Sequence, residues 1–315
     1  MKIWLRRTHL ILTLLSAPIL ISICVSGALL SFAKEAEQLA MTDRWQVIPK
    51  PPTLLRQVGL TELVARLNRQ LPTDSPSKLI MREQDAKIAW QAVLTDGRYA
   101  NFNPYNGELL AIYRFEESPY GFLIAWHRWL LYSNEAGKPL RPLVSCAALI
   151  LVVQLLLGFW MWLMPKKRLR RLRVNFSAKP HALLYQLHSV VGVLLILPLI
   201  LIAFSGMSFN WKQASSFVLE GITQQAREKP VHPRATAASG YVKNQQLDAA
   251  YQNARQALPQ GELHRIHLPI GDTDPLTLRI KMPGETHPYS WVWADANSAE
   301  LLGHYDASQA NLATQ

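Results

Sequence analysis

The sequence predicts an α-helical membrane protein with three transmembrane helices and two small α+β modules outside the membrane. Two observations predict this fold class: three long apolar stretches, and an internal repeat that includes the segments following them. The apolar stretches cover 10–32, 142–164 and 187–211, and none contains a charged residue. A helix needs about 20 such residues to cross the hydrocarbon core, where no water can satisfy a bare backbone. Transmembrane helices are therefore expected at 10–32, 142–164 and 184–211.

The distribution of basic residues predicts the topology. The chain has 33 Lys and Arg against 22 Asp and Glu, and ten of the basic residues lie in segments 1–9 and 165–183, which contain no acid. Lys and Arg collect on the cytoplasmic side of short loops. Both segments are therefore expected in the cytoplasm, with 33–141 and 212–315 outside. Because topology accounts for the excess charge, the lipid bilayer is an expected partner and nucleic acid is not.

The first apolar stretch has an alternative interpretation as a cleaved signal peptide. Ser31-Phe32-Ala33 fits a cleavage site. However, the apolar region of a signal peptide is typically about 7–15 residues long, and this stretch is longer. The length favours an uncleaved transmembrane helix.

An internal repeat relates the first and third apolar stretches. His9 is followed seventeen residues later by Ser26-Gly27, and His188 is followed at the same spacing by Ser205-Gly206. Both helices are expected to run from the cytoplasm outward. At 1.5 Å per residue, both histidines then lie ~25 Å below the outer reference point and at the same depth near the cytoplasmic face.

The outer segments repeat as well, and each is expected to form a module in which one helix packs on an antiparallel sheet. The modules cover 33–118 and 212–315, with an interfacial helix segment at 119–141 before the second span. Apolar periodicity predicts a helix at 60–71 in the first module and at 247–258 in the second, with a loop at 225–240. Strand patterns occur at 79–82, 88–94, 99–102 and 108–110, and again at 263–270, 276–282, 290–294 and 300–302.

The repeat also predicts a further histidine and a fourth span beyond residue 315. His127 follows Glu108 by nineteen residues, and the same spacing from Glu300 predicts a histidine near position 319, after Gln315. A fourth span is therefore expected and missing, as if the sequence were shortened just before it.

Several short motifs resemble the PepSY-associated transmembrane family of iron-regulated inner-membrane proteins. The motifs stand in the family's order over nearly the whole chain, although the family's usual final span is absent. They are Arg6-Arg7-Thr8-His9, Trp126-His127-Arg128-Trp129-Leu130, Leu157-Gly158-Phe159-Trp160-Met161-Trp162, Leu187-His188-Ser189-Val190-Val191-Gly192 and Phe204-Ser205-Gly206.

The resemblance implies a function. The family includes haem-containing ferric-siderophore reductases, so this chain is expected to reside in the bacterial inner membrane and to carry haem b. The outer modules would be periplasmic PepSY-like domains, and the substrate would be a ferric siderophore or another ferric complex. The cytoplasmic segments are too short for a flavin or nicotinamide domain. The electron donor would therefore be the quinone pool or a cytoplasmic reductase.

The histidines are the candidate cofactor ligands. Haem b is held by axial imidazoles, and a bis-histidine site needs two at one membrane depth, which His9 and His188 satisfy. His127 is a candidate ligand for an outer haem whose second ligand is missing, and His181 is a candidate substitute ligand on the cytoplasmic side. No metal beyond haem iron is expected. The alternative is that these histidines are polar residues at helix ends.

Two other functions are compatible with this sequence. A non-catalytic protein could use the PepSY-like modules to bind peptides or partner proteins, with the spans as anchors. A truncated family member could fold in part without full electron-transfer activity. Bound haem would distinguish the first hypothesis from both.

Overall fold

The computed structural model describes residues 2–48, 59–71, 76–80, 85–134, 137–236 and 245–314. The helices in these ranges are α1 (Lys2–Ala40), α2 (Thr42–Trp45), α3 (Leu60–Gln70), α4 (Pro119–Trp129), α5 (Arg141–Leu163), α6 (Pro180–Leu194), α7 (Ile196–Ser208), α8 (Lys212–Thr223) and α9 (Leu247–Ala257). The strands are β1 (Pro76–Ile80), β2 (Trp90–Leu94), β3 (Tyr99–Phe102), β4 (Leu109–Tyr113), β5 (Glu262–His267), β6 (Leu276–Lys281), β7 (Ser290–Ala294) and β8 (Leu301–Tyr305).

The chain divides into two compact units, each made of two separate stretches. The membrane unit comprises Met1–Ala33 and Tyr120–Ile222, and the sheet unit comprises Lys34–Pro119 and Thr223–Gln315. Residues 212–222, at the start of the predicted second module, fall within the membrane unit.

Two helices in the described ranges are long and apolar enough to cross a membrane. They are α1, from Ile3 to Ala40, and α5. Helices α6 and α7 qualify together as a third candidate, but they meet at an angle of 65°. Helix α1 is longer than the predicted span 10–32 and continues without interruption through residues 31–33.

The predicted third span, 184–211, is therefore two helices rather than one. Leu195 separates α6 from α7. Pro198 explains the position of the break, because proline has no N–H to donate to the carbonyl of Leu194, one turn earlier. Pro18 lies inside α1, which stays helical across it.

The sheet unit contains one antiparallel sheet of eight strands in the order β4-β3-β2-β1-β5-β6-β7-β8. Strands β1 and β5 pair through Leu79 opposite Ile266, which joins the two repeats. The two predicted modules therefore share one continuous sheet. An unpaired edge strand exposes backbone N–H and C=O groups, and pairing β1 with β5 satisfies both edges at once.

The apolar face of this sheet forms one core with both predicted helices. Leu67 of α3 and Ala250 of α9 are fully buried in the same cluster as Leu79 and Leu278 of the sheet. Helix α9 also caps α3, since the backbone N–H of Thr61 donates to the Asp248 carboxylate at 3.1 Å. The two repeats thus share their core as well as their sheet.

Most predicted elements of the sheet unit occur close to their expected places. Both helices begin at the predicted residues, Leu60 and Leu247. The strand patterns at 99–102 and 290–294 match β3 and β7, while the others are shifted by a few residues. Residues 81–82 of the first predicted strand and 237–240 of the predicted loop lie outside the described residues. The described part of that loop, 225–236, contains neither helix nor strand.

Candidate functional site

The membrane unit brings His9 and His188 together. His9 is on the second turn of α1 and His188 is near the middle of α6, and their ring centres are 6.3 Å apart with the ring planes inclined by 71°. Two residues separated by most of the chain length therefore face each other. The repeat predicted their common depth, and the fold supplies the lateral proximity.

Contacts between α1 and α5 fix the position of His9. The buried side-chain amide of Gln154 donates to the Ser16 hydroxyl at 2.9 Å. An interhelical hydrogen bond between buried polar side chains sets the register of apolar helices, whose other contacts are non-directional. In this register the His9 ring lies against Gly158, one turn beyond Gln154, with its Cε1 atom 3.6 Å from where a Cβ would stand.

The two histidines line a cavity of about 800 Å³ within the membrane unit. Helices α1, α5, α6 and α7 and the loop after α5 contribute to its walls. The lining includes the aromatic side chains of Phe159, Trp162 and Tyr185, and Phe159 and Trp162 stack with ring centres 6.0 Å apart. Most of the wall is apolar, as in the sites that bind organic cofactors.

The geometry of the cavity fits a metal-centred macrocycle. Imidazoles that bind one metal ion from opposite sides have ring centres about 6 Å apart, because each metal–nitrogen bond is about 2 Å long. His9 and His188 have this separation. The Nδ1 atom of His9 is also buried without a hydrogen-bond partner among the described residues. Cofactor pockets typically occupy roughly 300–1,000 Å³, which includes the observed volume.

The charges of the cavity suit an anionic cofactor. Arg6 and Arg171 line it, and its described lining contains no Asp or Glu. Guanidinium groups bind carboxylates through paired, charge-assisted hydrogen bonds. Topology alone accounted for both arginines in the sequence, and nothing there indicated that they line one cavity.

Glycines on the histidine-bearing wall are a further feature of the cavity that was not predicted from the sequence. Gly192 lines the cavity four residues after His188, and a Cβ there would meet no atom within 4 Å. Residues four apart share a face of a helix, so the spacing His188–Gly192 was the sequence signal that could have indicated this glycine.

His181, the proposed substitute ligand, is exposed on the first turn of α6 and is not part of the cavity wall.

His127 does not join the other two histidines. It lies on α4 and packs on a different turn of α1, where its Nδ1 is 3.0 Å from the carbonyl of Ile23 and 3.2 Å from the Ser26 hydroxyl. The adjacent Trp126 donates its indole N–H to the Ser22 hydroxyl at 2.7 Å. If Nδ1 donates to the Ile23 carbonyl, the other ring nitrogen is left as an acceptor, the form that binds metals.

The Ser-Gly pairs of the repeat explain how His127 fits. A Cβ on Gly27 would stand 3.1 Å from the His127 ring, whereas a Cβ on Gly206 would meet nothing within 4 Å. In the described residues, only one of the two repeated glycines is therefore in contact with a histidine. Gly27 of α1 packs closely against His127 of α4, and its counterpart Gly206 on α7 has no such contact.

A leucine at Gly27 should therefore destabilise the membrane unit, whereas a leucine at Gly206 should not. The first substitution forces the His127 ring and α4 away from α1, and the second extends into open space while improving helix propensity. Thermal unfolding of the two detergent-solubilised variants measures this difference, and we expect a midpoint several degrees lower for Gly27→Leu only. Equal unfolding midpoints for the two variants would contradict the contact between Gly27 and His127.

Comparison with known proteins gives one result that covers nearly the whole chain. A family model described as the PepSY-associated TM region matches residues 6–312. No curated protein matches the chain at a significant level. The matched range includes both histidines of the cavity and both halves of the eight-stranded sheet.

Proposed function

Since this chain belongs to the PepSY-associated transmembrane family, we propose that it is a haem-b electron-transfer protein of the bacterial inner membrane. Its acceptor would be a ferric siderophore or another ferric complex, and its role would be the reductive release of iron during uptake. The observation that carries the proposal is the pair of imidazole rings 6.3 Å apart in the cavity of the membrane unit.

Each group in the cavity has a role in this proposal. His9 and His188 would hold the iron of haem b, which supplies a one-electron Fe(III)/Fe(II) couple when bound. Arg6 and Arg171 would pair with the carboxylates of the macrocycle and orient it. Gly158 and Gly192 leave room for a flat ring beside the histidines, and the apolar wall excludes water. Water exclusion and nearby positive charge both influence the reduction potential.

The distribution of basic residues supports an orientation of the protein in the membrane, from which the direction of electron flow follows. Segments 1–9 and 165–183, with ten basic residues and no acid, would lie in the cytoplasm, which puts the His9 end of α1 on that side. Electrons would then enter from the quinone pool or a cytoplasmic reductase and leave toward the sheet unit outside. Reduction of a ferric complex would labilise its iron, since hard oxygen donors hold Fe(II) less tightly than Fe(III).

A stopped-flow reoxidation experiment tests this function. The purified protein is reduced with dithionite, freed of reductant under argon and mixed with a ferric chelate and a chromogenic Fe(II) chelator. We expect oxidation of the protein and one Fe(II) per electron lost, with His188→Ala giving only the background. A protein that stays reduced in the presence of the chelate would contradict the reductase function.

The second candidate function is a membrane-anchored binding protein for peptides or partner proteins. One observation favours it: β4 and β8 are the edge strands of the sheet, and an extended peptide can add to such an edge. This function requires no haem. Tight binding of an extended peptide by a folded, haem-free protein would favour it over electron transfer.

A further inference from the structure

The face of the sheet opposite α3 and α9 carries an unusual group of side chains. In one row across the strands, Arg265 of β5 stands opposite Arg279 of β6, and Arg279 stands opposite Trp291 of β7. In the next row, Lys78 of β1 stands opposite His267 of β5. Side chains two residues apart on a strand share a face, so these rows are neighbours. Trp293 of β7 lies in the second row as well. We call these six residues the sheet-face patch: Lys78, Arg265, His267, Arg279, Trp291 and Trp293.

The patch concentrates positive charge on one face of the sheet. Lys78, Arg265 and Arg279 are partly buried, and none of them forms an ion pair among the described residues. Like charges directly opposite each other on neighbouring strands destabilise a sheet, which applies to Arg265 and Arg279. Burial, followed by the charges of Arg265 and Arg279, also lowers the pKa of Lys78. A bound anion would reduce this repulsion and so stabilise the sheet.

Several donors of the same face have no partner. The Nε atom of Arg265, the Nε2 atom of His267 and the indole N–H of Trp293 are buried without a hydrogen-bond partner among the described residues. The hydroxyl of Tyr305, opposite Trp291 in the first row, is also buried without a hydrogen-bond partner among the described residues. Unpaired buried polar groups are destabilising, so four on one face indicate an acceptor-rich ligand.

A pair of stacked tryptophans adjoins the charges. Trp291 and Trp293 stack with their ring centres 6.2 Å apart and their planes inclined by 6°, and His232 lies edge-on to both at 5.2 Å. The guanidinium of Arg279 is 4.1 Å from the centre of the Trp291 ring and donates to the carbonyl of Pro288. Cation and aromatic ring are thus held together, an arrangement that binds ligands having both negative charge and aromatic groups.

The histidine of the patch is neutral near pH 7. Burial, followed by the charges of Lys78, Arg265 and Arg279, lowers the pKa of His267 to about 4. A neutral imidazole adds no repulsion, and its Nε2 atom can donate to or accept from a ligand according to its tautomer. Because the three cations suppress its protonation, a bound anion that neutralises them would raise this pKa.

We infer that the sheet-face patch binds anionic ferric chelates whose donor groups are aromatic, of the tris-catecholate type. This inference rests on the proposed function for the iron and on the patch itself for the ligand chemistry. Three catecholates around Fe(III) leave three negative charges, which match Lys78, Arg265 and Arg279. Their oxygens are acceptors for the unpaired donors, and their rings can pack beside the Arg279–Trp291 pair. A neutral trihydroxamate chelate offers neither the charge nor the rings.

Gallium(III) chelates test the inference without any electron transfer, because Ga(III) is not reduced under these conditions. Isothermal titration of the full-length protein with a hexadentate gallium tris-catecholate is compared with a gallium trihydroxamate. We expect the first to bind at least tenfold more tightly than the second. Lys78→Gln and Arg265→Gln should each weaken it at least tenfold, whereas Lys87→Gln, an exposed basic residue of the same unit, should leave it unchanged.

The stability of the variants separates binding from misfolding. Removing Arg265 relieves repulsion with Arg279, so the ligand-free Arg265→Gln protein should unfold at the same or a higher temperature while binding less. Equal binding of the two gallium chelates, or unchanged binding by both patch variants, would overturn the inference. If the catecholate binds as expected and the stopped-flow reaction fails, the proposed electron transfer is wrong and the binding site stands.

Discussion

Alanine at position 9 or 188 is expected to reduce the haem content of the purified protein at least tenfold. Each substitution removes one of two imidazoles whose ring centres are 6.3 Å apart, and leaves one side of the cavity without a ligand. The remaining apolar and cationic contacts would bind the macrocycle weakly, because metal–ligand bonds supply most of the affinity of such sites. The visible absorbance of haem relative to protein measures the loss.

Two controls make this prediction specific to ligation. His181→Ala removes an exposed histidine of the same helix, two turns before His188 and outside the cavity wall, and should keep the full haem content. Reconstitution of His188→Ala with haemin and imidazole should restore the low-spin spectrum, since free imidazole can occupy the space of the missing side chain. A folded His9→Ala or His188→Ala protein with the full haem signal would show that this pair is not the ligand pair.

Alanine at Gly261 is expected to destabilise the sheet unit by about 2 kcal/mol or more. A Cβ at this position would collide with Cγ2 of Ile280 and stand 3.0 Å from the sulfur of Met282. Ile280 is fully buried in the core of the sheet, and its branched side chain has little rotamer freedom to move away. Strand β5, which begins at Glu262, would therefore have to shift against β6.

Hydrogen exchange of the β5 and β6 backbone amides measures this effect within the full-length protein. Faster exchange is expected for Gly261→Ala and not for Gln260→Ala, an exposed position in the same turn. Ile280→Leu removes the Cγ2 methyl, so its combination with Gly261→Ala should be less destabilising than the sum of the single changes. Additive effects would show that the contact with Ile280 is not the cause.

Local patterns predicted much of the sheet unit because each pattern corresponds to one face of one element. Leu60, Leu63 and Leu67 recur at helical spacing, and all three are buried against the sheet. Alternation within the strands likewise predicted β3 and β7. The joining of the repeats through β1 and β5 could not be predicted in this way, since either strand could serve as a protected edge without any change in its own pattern.

The membrane unit shows the same division between local and long-range information. Apolar length predicted the spans, whereas the break at Leu195 in the third one was found only in the structure. The repeat predicted that His9 and His188 share a depth, but lateral proximity depends on contacts such as Gln154 with Ser16, which no periodicity encodes. The close contact between Gly27 and His127 could not be predicted for the same reason.

The sheet-face patch was the least accessible from sequence. Its basic residues lie on three strands from both repeats, and only the pairing of β1 with β5 brings Lys78 beside His267. Along the chain, each cation is a single charge in an ordinary strand pattern. A sequence that balances 23 basic and 22 acidic residues outside the two basic segments gives no indication that three of the basic ones converge.

The reduced-minus-oxidised visible spectrum of the detergent-purified protein, with haem quantified per chain, tests the central claim most directly. The account predicts a sharp α-band of the b type and one haem per chain at the His9/His188 site, absent from the His9→Ala and His188→Ala proteins. A folded wild-type protein that binds no haem, even after expression with added haem precursor and reconstitution with haemin, would contradict the electron-transfer function.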